Sequence, residues 1–128
     1  MKYFYSKRMM TSFEEALLRT AEELKKEGFG VVTKIDIKKI LKEKLNIDFE
    51  NYIIIGACNP SFAYKSLQKE PKAGLMLPCK VVVNEVAEGE IEIAVLDPVV
   101  AIGPIGNNQL SSLAEEVRDK LIRVINRL

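Results

Sequence analysis

The sequence predicts a single α+β domain in which one sheet is covered by helices on one side. Strand-like and helix-like stretches alternate along 128 residues, the length of one ordinary domain. A hairpin near residue 89 returns through a strand that alternates apolar and acidic residues, so one face is buried and the other meets water. A long amphipathic helix at the C-terminus supplies an apolar stripe to cover the buried face. These three observations together indicate a sheet layer packed against a helix layer.

The N-terminal region is predicted to contain a short strand followed by a capped helix. Residues 2–7 alternate aromatic side chains, which favour pleated, half-buried positions. Ser12 and Glu15 have the spacing of a capping box, and apolar residues then recur at helical intervals. Gly28 provides the left-handed residue that commonly ends a helix.

A second strand and a second helix follow. The strand is predicted over residues 29–35, and Asp36 is a favourable N-cap for the helix, which Asn46 can close. Its apolar stripe should face the protein and its lysines the solvent (Lys38, Lys39, Lys42 and Lys44).

The third strand leads directly into a third helix. Residues 52–56 are apolar throughout, which indicates burial on both faces. Asn59 is a favoured N-cap, and Pro60 fits the first helical position because its missing N–H has no partner there. We expect this helix over residues 60–69.

A long strand is predicted over residues 74–86. Pro78 cannot donate to a central ladder, so it marks a bulge, an edge or the true start of pairing. A turn at residues 88–89 connects to the return strand, residues 90–96. The solvent face of this hairpin is expected to be acidic (Glu85, Glu88, Glu90 and Glu92).

Residues 99–109 are predicted to be an apolar loop that packs over a pocket mouth or against a partner subunit. The last helix is predicted over residues 110–127, with Ser112 and Glu115 as a second capping box.

Composition excludes several classes of site. The chain has no histidine, which removes Ser-His and Cys-His nucleophile pairs and His-ligated metal sites. Its net charge of +1 selects no polyanionic partner. No apolar run is long enough for a membrane helix, and the N-terminus lacks a signal-peptide pattern, so we expect a cytoplasmic protein with free thiols. Abundant Lys and Glu with few Gln are typical of thermophiles.

The two cysteines, Cys58 and Cys79, are the residues with the most distinctive chemistry. Cys58 lies where a strand meets a helix capped by Asn59, and a helix N-terminus stabilises a thiolate. If the third strand neighbours the strand of Cys79, the two sulfurs approach each other. The pair is then a redox site, a disulfide, a soft-metal site shared between two chains, or two small buried apolar side chains.

Five stretches of the chain resemble one uncharacterised family, domain of unknown function 302. They are Gly28–Thr33, Ile35–Ile37, Gly56–Pro60, Leu77–Val83 and Asp97-Pro98, in the same order and covering nearly the whole chain. The resemblance implies a TBP-like fold, with a curved antiparallel sheet of about five strands and a long C-terminal helix packed on one face. It also implies a homodimer, but no established activity.

The leading hypothesis is a homodimer that binds a small molecule or a metal at the corner between the third strand and the third helix. The alternatives are a thiol-dependent redox enzyme with Cys58 as nucleophile and Cys79 as resolving thiol, or a structural or protein-interaction module without a ligand. No nucleic acid is expected as a partner, because the acidic hairpin face repels phosphates. The candidate site residues are Cys58, Asn59, Pro60, Pro78, Cys79 and Asp97, with the two cysteines as candidate metal ligands.

Overall fold

Five strands form one antiparallel sheet in the order β1-β5-β4-β3-β2. The computed structural model describes residues 2–128. The hairpin formed by β4 and β5 occupies interior positions of the sheet, and β1 and β2 are the two edge strands of the sheet. The predicted α+β architecture with a curved five-stranded antiparallel sheet is confirmed. The strands are β1 Phe4–Met10, β2 Gly30–Asp36, β3 Tyr52–Cys58, β4 Cys79–Ala87 and β5 Glu90–Leu96.

The helices connect the strands and carry the predicted caps. The side chains of Ser12, Asp36 and Asn59 each accept a hydrogen bond from the first turn of their helix, as expected. Within residues 2–128, no helix combines the length and apolarity needed to cross a membrane. The α-helices are α1 Phe13–Lys26, α2 Ile37–Leu45, α3 Pro60–Lys69, α4 Pro98–Ile102 and α5 Asn108–Arg127, and two 3-10 helices span Pro71–Met76 and Gly103–Ile105.

The hydrophobic core lies between one face of the sheet and helices α1 and α5. The inward residues of β4 and β5 alternate along each strand, as the period of two requires. The fully buried side chains on these elements include Leu24, Ile55, Val81, Val83, Ile91, Ile93, Val95, Leu121 and Val124. The long C-terminal helix therefore packs on the sheet face, as expected.

The prediction of one strand over residues 74–86 was wrong for its first part. Residues 71–76 form a 3-10 helix, and pairing with β3 begins at Cys79. Pro78 lacks the N–H that a ladder needs, so it marks the true start of the strand.

The predicted loop over residues 99–109 and the Ser112 capping box were also wrong. Asp97 caps α4, because its Oδ1 accepts the N–H of Val99 at 2.9 Å. Asn107 caps α5, with its Oδ1 accepting N–H groups at 3.0 and 3.4 Å. Asparagine is as good an N-cap as serine, and it comes first along the chain, so Ser112 lies inside the helix.

Strand β1 is longer than the predicted 2–7. All seven of its residues pair with β5, from Phe4 opposite Leu96 to Met10 opposite Glu90. Strand β5 thus provides hydrogen-bond partners for residues 8–10, whose own sequence shows no strand pattern.

The sheet face that the helices leave uncovered, here called the open face, is less acidic than predicted. Arg8 forms ion pairs with Glu90 and Glu92 at 3.0 and 3.2 Å, which offsets part of the negative charge. A shallow depression on this face is lined by polar and apolar side chains together (Tyr3, Phe4, Tyr52, Lys80, Val82, Asn84, Glu92, Ala94 and Leu96).

Helix α2 forms as predicted, but none of its nine residues is buried. Its apolar stripe is only partly covered by the rest of the described chain, because Ile40 and Leu45 are exposed and the other two apolar residues of the stripe are half-buried. Its caps at Asp36 and Asn46 match the prediction. The exposed part of the stripe is a difference from the expected inward-facing helix.

Candidate functional site

The corner between β3 and α3 is fixed by the side chain of Asn59. Its Oδ1 accepts the backbone N–H of Phe62 at 3.4 Å, which caps α3. Its Nδ2 donates to the backbone carbonyl of Glu27 at 3.4 Å, which is at the end of α1. Pro60 is the first residue of α3, as predicted. One amide thus holds two helix ends together beside Cys58.

The register of β3 and β4 brings the two cysteines to the same end of the sheet. Ala57 lies opposite Cys79, so Cys58 is the next residue along β3. Both cysteines are free thiols and partly exposed. The strands that carry them are neighbours in the sheet, which is the condition under which the two sulfurs were expected to approach.

Both thiols line a cavity of about 120 Å³. Its wall comes from the end of the sheet, from α3 and the segment before β4, and from α4 and α5. Most lining side chains are apolar, which is typical of pockets for small organic molecules. The lining residues include Phe29, Ala57, Phe62, Ala63, Met76, Leu77, Leu96, Pro98, Ala101, Ile102, Leu113 and Val117.

The thiol of Cys79 is poorly suited to ionise. Burial, and to a smaller extent the neighbouring thiol of Cys58, raise its pKa to about 11. Because a thiolate is the reactive form of cysteine, Cys79 remains a protonated, weakly nucleophilic thiol near neutral pH.

Four of the six candidate residues line the cavity: Cys58, Asn59, Pro78 and Cys79. Pro60 and Asp97 are outside its wall. The Asp97 side chain is buried, accepts the Tyr5 hydroxyl at 3.2 Å and caps α4. It thereby positions the neighbouring cavity residues Leu96 and Pro98 without facing the cavity itself.

Sequence reasoning missed the contributions of α3 and α5 to this wall, whereas the expectation that residues 99–109 pack over a pocket mouth agrees with Ala101 of α4 lining the cavity. Ser66 is the clearest case, because it is a small polar residue on the inner side of α3 and is only 7% exposed. Its spacing of four from Phe62 and three from Ala63 places all three on one helix face. This spacing was the available signal, but it does not show which elements pack opposite.

The family profile described as "Domain of unknown function DUF302" matches residues 5–128. The chain belongs to the DUF302 family. A crystal structure of an uncharacterised conserved DUF302 protein from Bacillus stearothermophilus is similar, with a TM-score of 0.91 and 30% sequence identity. The similarity covers 99% of this chain and 98% of that one. No curated protein matches the chain.

These comparisons extend the DUF302 resemblance from five short stretches to nearly the whole domain. They identify the family and its fold, and the family carries no assigned activity. Function must therefore be argued from the cavity and the surfaces of this chain.

Proposed function

We propose that this DUF302 protein is a homodimeric module that binds a small apolar organic molecule in the cavity beside Cys58 and Cys79. The cavity carries the proposal, because it is largely apolar and has only a few polar groups in its wall. Its volume of about 120 Å³ is close to that of roughly 150 Å³ cavities that hold benzene. The ligand is accordingly of the size of a single aromatic ring.

The chemistry of the wall favours binding over thiol redox catalysis. A resolving thiol must attack a mixed disulfide as a thiolate, and the raised pKa of Cys79 opposes that step. A metal is a weaker proposal for one chain, because residues 2–128 contain no cluster of three or more His, Cys, Asp or Glu side chains placed to hold an ion. Closed zinc sites use four ligands, so two chains would have to share one.

Toluene is the probe that tests the cavity. We expect toluene to shift the amide NMR resonances of lining residues and to raise the melting temperature of the protein, since it binds only the folded state. Replacing Ala63, which lines the cavity, by leucine should abolish both effects. The matched control is Ser61→Leu, because Ser61 is exposed on the same helix. Equal toluene effects in wild type and Ala63→Leu would exclude this cavity as the site.

The homodimer is supported by an apolar surface that the single chain leaves uncovered. Between residues 32 and 49, six large apolar side chains are exposed, and we call them the α2 surface (Val32, Ile35, Ile40, Leu45, Ile47 and Phe49). Isolated exposed apolar residues are ordinary, but a concentration of this kind marks an interaction surface.

Charge indicates a second copy of this chain as the partner. Helix α2 carries four lysines and one glutamate, so two α2 helices facing each other would repel. The open face of the sheet is largely apolar, and its charges nearly balance because Lys80 lies beside a Glu92 that Arg8 already pairs, so it repels the α2 lysines less than a second α2 surface would. In a two-fold dimer each α2 surface covers the partner's open face, and both contacts form at once.

Light scattering tests the dimer. The wild-type chain should have twice the mass of one chain, and the double variant Ile40→Glu/Leu45→Glu should be monomeric. Leu18→Glu is the control, because Leu18 is exposed on α1, away from the α2 surface. A wild-type protein that remains monomeric at high concentration would contradict the proposal.

A further inference from the structure

The hydroxyl of Ser66 has no hydrogen-bond partner among the described residues, although the residue is only 7% exposed and lines the cavity. Hydroxyls inside helices usually donate to the carbonyl four residues earlier. Thr20 donates to the carbonyl of Ala16 in this way at 2.7 Å. Ser66 forms no such bond, so its hydroxyl is available to a group inside the cavity.

The described wall presents no ammonium, guanidinium or carboxylate group to the cavity. Lys80 is the one wall residue with such a side chain, and that side chain lies on the open face of the sheet with Val82, because alternate residues of β4 point to opposite faces. The buried carboxylate of Asp97 lies behind the wall, between the wall residues Leu96 and Pro98. It already accepts hydrogen bonds from a hydroxyl and from a backbone N–H.

This arrangement disfavours a charged ligand. An anion in the cavity would lose its hydration without gaining a cation as partner, and it would lie close to the negative charge of Asp97. A cation would find no carboxylate in the described wall, because Asp97 does not face the cavity. A neutral oxygen pays a much smaller cost on burial, and the Ser66 hydroxyl can offset that cost with a hydrogen bond.

We propose that the ligand of the cavity is a small neutral molecule with an apolar body and one oxygen that hydrogen-bonds to the Ser66 hydroxyl. Phenols and small aromatic alcohols belong to this class. The apolar body contacts the apolar side chains of the wall, among them Phe62 and Ala63 on the same helix face as Ser66. This assignment rests on the proposed function, because it names the ligand class of the same cavity.

Phenol and toluene separate the two proposals, because they share the ring and differ in the hydroxyl. Titration of the full chain at pH 7, followed by NMR, should show binding of both. Ser66→Ala should weaken phenol by about tenfold, the effect of leaving one buried hydroxyl without a partner. Toluene affinity should be unchanged in this variant, which shows that the cavity is intact. The matched control is Ser61→Ala, since Ser61 is exposed on the same helix and outside the wall.

Ser66→Cys is a second variant of nearly the same size, and it should also weaken phenol because a thiol is a weak hydrogen-bond donor. Benzoate tests the neutral charge of the ligand, and it should bind more weakly than phenol at pH 7.

Toluene binding without phenol binding would overturn the assignment of a neutral oxygen and leave the apolar site in place. The same holds if Ser66→Ala and Ser66→Cys both bind phenol like wild type, or if benzoate binds as tightly as phenol. Failure of toluene and phenol alike would overturn both proposals.

Discussion

At the scale of single residues, the candidate site depends on close contacts around Cys79, Pro78 and Gly56. A Cβ atom built on Gly56 would lie 2.5 Å from Cγ2 of Thr33 and 2.7 Å from Cγ of Pro78. Glycine is therefore required at this position by space. The close approach holds Pro78, and with it the wall next to Cys79, against β3.

Gly56→Ala should destabilise the protein by about 1–3 kcal/mol, the usual cost of forcing atoms into a packed region. Urea unfolding measures this directly. Gly30→Ala is the matched control, because Gly30 lies on the neighbouring strand and a Cβ there has no atom within 4 Å. Equal stabilities of the two variants would show that Thr33 and Pro78 can move aside freely.

The thiol of Cys79 should titrate far above an ordinary cysteine. In a Cys58→Ser variant, alkylation of Cys79 by iodoacetamide should reach half its maximal rate near pH 11, because burial is the larger cause of its raised pKa. At pH 8 its rate should be up to about 100-fold below that of the same variant unfolded in urea, since each pKa unit is tenfold in thiolate. A midpoint near 9 would indicate a thiol that is open to water.

At the scale of elements, α1 and α5 are joined by a cluster of ion pairs at their ends. Glu27 lies 3.0 Å from Arg123 and 2.9 Å from Arg127, and Glu23 lies 2.7 Å from Arg127. The hydrogen bond from Arg123 is the main cause that lowers the pKa of Glu27. Lys26 and then Arg127 lower that of Glu23.

Glu27→Gln should destabilise the protein at neutral pH and have little effect in strong acid. A carboxylate whose folded pKa is lowered stabilises the fold above its unfolded pKa of about 4.3. That contribution is lost as the pH falls through the folded pKa. Urea midpoints of wild type and variant should therefore differ at pH 7 and converge near pH 2, and added salt should narrow the difference.

Glu22→Gln controls for the loss of one negative charge, because Glu22 is exposed on the same helix and forms no ion pair within residues 2–128. Its midpoint should follow wild type at every pH. A pH-independent difference for Glu27→Gln would instead point to a packing effect.

At the scale of the whole molecule, one hydrophobic core joins the sheet to α1 and α5. Substitutions in this core should therefore lower the stability of the whole domain. Leu121 on α5 is 1% exposed and packs in this core, whereas Leu18 on α1 is 61% exposed. Leu121→Ala should lower the unfolding free energy by about 2–5 kcal/mol. Leu18→Ala should change it by less than about 0.5 kcal/mol. Denaturant unfolding compares the two variants. Similar losses of unfolding free energy would contradict a core that includes Leu121 and excludes Leu18.

The sequence was most informative where the determining interaction is local. Caps such as Ser12, Asp36 and Asn59 act within three residues, so spacing alone predicted them. The approach of Cys58 and Cys79 followed from a conditional argument about neighbouring strands, and the register of β3 with β4 meets that condition.

Long-range packing decided what the sequence could not predict. Ser66 reaches the cavity because α3 lies near α5, and no local sequence pattern shows that these two helices are neighbours. The apolar stripe of α2 was predicted to face the protein. A helix that packs on a core and a helix that packs on a partner have the same amphipathic sequence pattern, so the sequence does not distinguish them. The length of β1 likewise depended on its partner β5.

The position of Pro60 directly after Asn59 also affects the deamidation of the Asn59 side chain. Asparagine deamidates mainly when the backbone nitrogen of the next residue attacks its side-chain amide and closes a ring. Proline has no N–H at that nitrogen, so this route is closed at Asn59. Asn107, the cap of α5, precedes Asn108 and has no such protection. The amide that joins α1 to α3 is therefore chemically durable, and its loss would put a carboxylate against the carbonyl of Glu27.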